Sequence, residues 1–173
     1  KQSPKPSITV HSTEIELGIE NFMLSLGTLL GVIDTDPQFS LMPPFIRYLS
    51  EVAFIQLGDA SITGVPGELY PEIAVGGIEN PIGADYVMAP QEVPHLRSQF
   101  TNKLNLMVNL ANDAIGYIIP KSEWDEDAPW IYGENEETYG EVVSLGPNTA
   151  PIIHEKLVKL IEESQNKQFN EEK

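Results

Sequence analysis

Apolar and polar residues alternate along Thr13-Glu-Ile-Glu-Leu17, the two-residue period of a strand that turns one face to a core. β-branched neighbours extend this predicted strand across residues 8–20. The next apolar run, residues 22–33, has no clear period and stays open between a strand and a short buried helix. Turn signals follow at Asp34-Thr-Asp-Pro-Gln38 and Met42-Pro-Pro44. The clearest β pattern is residues 52–57 and 61–65, two strands joined through the tight Gly58-Asp-Ala60 connection. Residues 66–72 read as a turn feeding a helix, and the Gly- and Pro-rich residues 76–94 as a long loop, a feature that is usually functional or disordered. Another strand is expected near 104–110, with a bend at Asn112, Asp113 and Gly116. A helix is predicted from about Pro151, with Thr149 near its N-cap and Ile153, Leu157, Leu160 and Ile161 on one face. Lys1 to Ser7 and the polar segment from Gln165 to Lys173 are expected to be mobile ends. The expected fold class is α/β: a mixed β-sheet with flanking helices, the C-terminal helix packed across one face.

The length of 173 residues fits a single domain, or the C-terminal half of a larger catalytic domain. Apolar residues form 41% of the chain, enough for a core, and the 21% charged fraction argues against wholesale disorder. Ten Lys and Arg stand against 26 Asp and Glu, a net charge of −16. Such a surface repels phosphate backbones and anionic headgroups, so nucleic acid is excluded as an expected partner. Without cysteine there is neither a disulfide framework nor a thiolate metal site. No apolar run reaches the ~20 residues that span a bilayer, so no transmembrane segment is expected. The chain starts at Lys1, and an upstream region or signal peptide is expected to be missing from it.

Candidate chemistry concentrates in Gly64-Val-Pro-Gly-Glu68, where a strand delivers one carboxylate to the rim of a sheet. Strand ends are where α/β folds usually bind ligands. The plain alternative is an early-turn carboxylate favoured by the following helix dipole. Two further segments fall in order behind it, residues 110–119 around Tyr117 and residues 139–149 ending in Gly146-Pro-Asn-Thr149.

This ordered set, spanning roughly residues 52–160, resembles the neutral/alkaline non-lysosomal ceramidases. The resemblance implies a zinc-dependent amide hydrolase acting on an N-acyl lipid or related amide. It implies Glu68 and Tyr117 as metal ligands, with Tyr117 alternatively stabilising the oxyanion, and Asn112 and Asp113 as residues orienting that strand end. A secreted, periplasmic or envelope-associated location follows from the same resemblance. The family's zinc-binding histidines and catalytic serine belong to an upstream half, so the missing N-terminal half of the enzyme is the expected partner. His11, His95 and His154 lie outside the family's histidine contexts and are not expected to bind zinc. Residues 69–77 depart from the family's Thr-rich, Arg-containing helix, which bears on the substrate.

Two readings compete with the hydrolase. One is a non-catalytic binding or surface protein that keeps the fold without a complete metal site. The other is a calcium-stabilised adhesion module: Asp125, Asp127 and Glu136 fall at the first, third and twelfth places of an EF-hand loop, but Trp130 occupies the sixth, where that loop needs glycine. A solvated acidic loop over residues 123–137 is the expected form. Trp124, Trp130 and Tyr132 fit either an apolar substrate channel or core packing. Signatures of serine esterases, zincins and nucleotide hydrolases are absent.

Overall fold

The computed structural model describes residues 8–33, 36–136 and 138–171, with backbone alone from 167. The lead-in at residues 1–7 and part of the turn expected at 34–38 lie outside the described residues. Strand β1 (Ile8–Gly18) pairs antiparallel with β3 (Ile46–Leu57) over their full length, from Ile8 opposite Leu57 to Gly18 opposite Arg47. A short β2 (Gln38–Phe39) joins the start of β3. Strand β4 (Ala60–Gly64) folds back on β3 as a hairpin, and β6 (Leu104–Val108) lies parallel to β4. The sheet is therefore mixed, in the order β1-β3-β4-β6, and the chain is α/β as its patterning predicts.

The period-two patterning decides which face is covered. Ile15 and Leu17 of β1 and Val52 and Phe54 of β3 point into one core. Over them lies α4 (Thr149–Glu171), which packs across β1 and β3 with the predicted stripe of Ile153, Leu157, Leu160 and Ile161 buried. Phe100 stacks on Phe54 at 5.9 Å, and the Ser164 hydroxyl donates to the buried Gln56 carbonyl oxygen at 3.3 Å. Where a polar tail is expected from Gln165, α4 runs on to Glu171, and the Gln165 amide donates to the Gln99 carbonyl.

The ambiguous run at 22–33 contains helix α1 (Phe22–Leu29), and it is not buried: Phe22 is 73% and Met23 67% exposed. Asn21 explains the start. Its side-chain oxygen accepts from Met23 N and Leu24 N, satisfying two of the free donors of the first turn, while its amide donates to the Glu141 and Val142 carbonyls. No helix among the described residues is long and apolar enough to cross a membrane. The acidic segment expected in solvent is also partly interior, since Trp124 and Asp125 are buried and Ile131 N donates to Asp125 Oδ2 at 3.0 Å.

Candidate functional site

Past Gly64 the parallel pair does not end. Val65 N bonds Val108 O, Ala111 N bonds Val65 O and Ile115 N bonds Pro66 O, carrying the two chains together through a turn. They re-form as a second, two-stranded parallel sheet of β5 (Glu68–Leu69) and β7 (Tyr117–Ile118), with Glu68 in register with Tyr117. Leu69 and Ile118 are buried, so Glu68 and Tyr117 share the opposite, partly exposed face. The next helices are α2 (Pro71–Val75) and, beyond β7, α3 (Tyr139–Val142).

Two glycines permit this approach. A methyl group on Gly67 would lie 2.4 Å from the Gly116 carbonyl oxygen, and one on Gly116, whose φ is 87°, would lie 1.8 Å from the Val143 carbonyl oxygen. Only bare backbone fits where three segments cross.

The Tyr117 hydroxyl hydrogen-bonds the Glu68 carboxylate. That bond, followed by the carboxylate's charge and by burial, raises the phenol above its ordinary value. Tyr117 thus stays a hydrogen-bond donor across the neutral range. Tyr70 and Tyr139 meet the Tyr117 ring edge-on at 6.1 Å and 6.0 Å, walling it on two sides. Burial first, and then the Glu141 charge, push Tyr70 up to about 12.

Asp113 sits behind this pair rather than in it. Its carboxylate accepts from Tyr48 OH at 2.8 Å, Ser50 Oγ at 2.9 Å and Ala114 N at 2.9 Å, fastening the chain before Gly116 to β3. Asp113→Ala leaves two hydroxyls and one amide without that acceptor, an expected cost of about 2 kcal/mol. It should appear as a lower unfolding midpoint that Asp113→Asn partly restores. Asn112 projects an exposed side chain, and its part in the bend is its backbone, with φ at 70°, a conformation asparagine tolerates.

One neighbour was not predicted. Glu141 of α3 is 3% exposed and accepts a hydrogen bond from the Thr138 hydroxyl. Burial, reinforced by the charges of Asp125 and Asp85 and opposed by backbone N–H donors, pushes its carboxyl up to about 7. Its segment is recognisable in the sequence, but nothing local distinguishes a buried glutamate from the exposed ones around it.

The histidines lie elsewhere. His154 Nε2 is 2.9 Å from the Pro94 carbonyl, His95 Nδ1 is 3.3 Å from the Ala74 carbonyl, and His11 is on β1. No group of three or more His, Cys, Asp or Glu residues is placed to hold a metal ion among the described residues. Glu68 and Tyr117 offer two oxygen donors where catalytic zinc takes three protein ligands, so these residues alone do not fit a zinc ion.

Fold and site together define an α/β chain with a carboxylate–phenol pair at a strand end. No protein-family model matches the sequence, and neither does any curated protein. Among solved structures, the chain is similar to the neutral ceramidase from Pseudomonas aeruginosa, with a TM-score of 0.46 and 10% identity over 92% of this chain. The match covers 29% of the ceramidase chain, so this chain spans less than a third of that protein's length.

Proposed function

We propose that this chain supplies part of the active site of a zinc-dependent amide hydrolase of the neutral-ceramidase kind, acting on an N-acyl lipid or related amide. The observation that supports this reading is the Glu68–Tyr117 pair, two residues far apart in sequence held in register on β5 and β7 and joined by a side-chain hydrogen bond. The resemblance gives the same two positions to the metal site. Polypeptide outside this chain completes the ligand set, and no step is written here through the metal.

The chain's own residues have definite tasks in this reading. Glu68 presents a carboxylate whose orientation is fixed by Tyr117. The Tyr117 phenol keeps its proton at neutral pH and can turn that donor toward the oxygen of a tetrahedral intermediate, a contribution typically of two to three orders of magnitude in rate. Tyr70 and Tyr139 hold the phenol's plane. Asp113 holds the backbone that delivers it.

Elemental analysis tests the assignment. In the enzyme joined to its remaining half, near-stoichiometric zinc is expected, lost in Glu68→Ala with an unchanged circular dichroism spectrum. Amide hydrolysis should fall at least a hundredfold in the same variant. Zinc retained at full occupancy without Glu68 removes that residue from the site. The absence of a three-residue metal-binding group among the described residues favours a second reading, a non-catalytic binding protein on the same fold. No zinc in wild type or variant decides for it.

A further inference from the structure

The face of the large sheet turned away from α4 carries a second apolar surface. Strand registers place its residues in rows that cross all four strands: Ile8, Leu57, Ala60 and Leu104, then Val10, Ile55, Ile62 and Leu106. A third row, Ser12, Ala53, Gly64 and Val108, borders them. Val10 is 62% and Leu106 51% exposed, and no element of the described residues lies over these two rows. Parallel pairs such as β4 and β6 occur almost only where both faces are covered, so a bare apolar face beside one marks a missing layer. At the next row, Glu14 of β1 stands directly opposite Glu51 of β3. Like charges so placed repel, and neither makes an ion pair among the described residues.

Dimensions choose among occupants. Four strands about 4.8 Å apart and rows about 7 Å apart give a footprint of roughly 350 Å². A stable complex between two folded chains buries about 800 Å² on each partner. A second copy would also bring −16 against −16. Two helices packed side by side, 8–10 Å between axes, cover a width of about 20 Å.

We propose that this open face docks a pair of amphipathic helices from polypeptide outside this chain. Their apolar stripes lie over the two aliphatic rows, and basic residues at one end meet Glu14 and Glu51. The proposal rests on the reading that outside polypeptide completes the site, and it names the surface by which that polypeptide attaches.

The absence of cysteine makes a direct test possible: Ser12→Cys, at the border of the patch, carries a solvatochromic dye. The probe is a synthetic two-helix hairpin with Leu/Ile stripes, about 12 residues per helix, and lysines at one end. Saturable one-to-one binding with a blue shift of the dye is expected. Val10→Ser with Leu106→Ser should weaken it at least tenfold, and both side chains are exposed enough that the fold does not depend on them. Glu14→Gln with Glu51→Gln should weaken it about threefold, while Glu68→Ala should leave it unchanged. Equal binding by the serine variant overturns the proposal, as does a wild-type dimer in sedimentation that Leu106→Ser dissociates. Because Glu68→Ala reads the zinc site and the serine pair reads the face, either assignment can fail while the other stands.

Discussion

Gly116→Ala is expected to lower the unfolding midpoint by about 10 °C, with two separable causes. The residue's φ of 87° lies where only glycine rests without strain. That alone costs a substituted residue about 1–3 kcal/mol. The added methyl also lands 1.8 Å from the Val143 carbonyl oxygen and 2.9 Å from its carbon. This neighbour cannot step aside cheaply, because Val143 O accepts from Tyr117 N while Gly116 O accepts from Glu68 N. Relief of the overlap must pull apart either α3 and β7 or β7 and β5, adding about 1–3 kcal/mol. For a chain of this size each kcal/mol shifts the midpoint about 2–4 °C. Gly77→Ala isolates the first cause, since Gly77 has φ of 106° but nothing within 4 Å of an added methyl. Its midpoint should fall by less than half as much. The Tyr117 phenol in Gly116→Ala should also titrate nearer its ordinary value, because its bond to Glu68 depends on the register of β5 and β7. Equal midpoints for the two variants would mean that the crossing relaxes freely and does not fix the site.

What the sequence made legible follows the range of the interactions. Strands β3, β4 and β6 and the buried stripe of α4 rest on local periodicity, and the structure has them within a few residues of expectation. The α1 run was ambiguous because its apolar residues follow neither period. The Asn21 cap, which settles it, is a single-residue signal at 21. Its exposure was illegible, since apolarity predicts burial only when something exists to bury against. The strands β5 and β7 have two residues each and owe their existence to each other, so no local pattern announces them. Glu68 and Tyr117 were nevertheless named from the motif order, and the fold brings them side by side. Asp113 was named as an orienting residue, and its carboxylate ties down the bend before Tyr117. Asn112 was named with it, but its side chain faces solvent. Glu141 was missed because its environment is built by residues 85, 125 and 138, which only the fold assembles.

That buried carboxyl makes stability depend on pH in a direction opposite to that of most acidic residues. Glu141 holds its proton to about pH 7 in the folded chain, chiefly because burial penalises the charged form and secondarily because Asp125 and Asp85 repel it. In the unfolded chain it ionises at its ordinary value near 4.3. Between these two values the native state binds the extra proton, so stability falls as pH rises. The contribution is fully present below about pH 4.5 and is lost above about pH 7. The full linkage has a ceiling of about 3 kcal/mol, of which solvent screening leaves roughly half. Burial raises Asp125 and Glu123 as well, so both add to the same slope. Glu141→Gln separates the shares, because an amide keeps the carbonyl that accepts from Thr138 and cannot ionise. Wild type and variant should unfold at nearly the same urea concentration at pH 5. At pH 8 the variant should be more stable by about 1–2 kcal/mol. If their difference is the same at both values, Glu141 carries its charge in the folded chain at neutral pH. The carboxylate beside Tyr70 is then an electrostatic element of the tyrosine cluster rather than a neutral wall behind it.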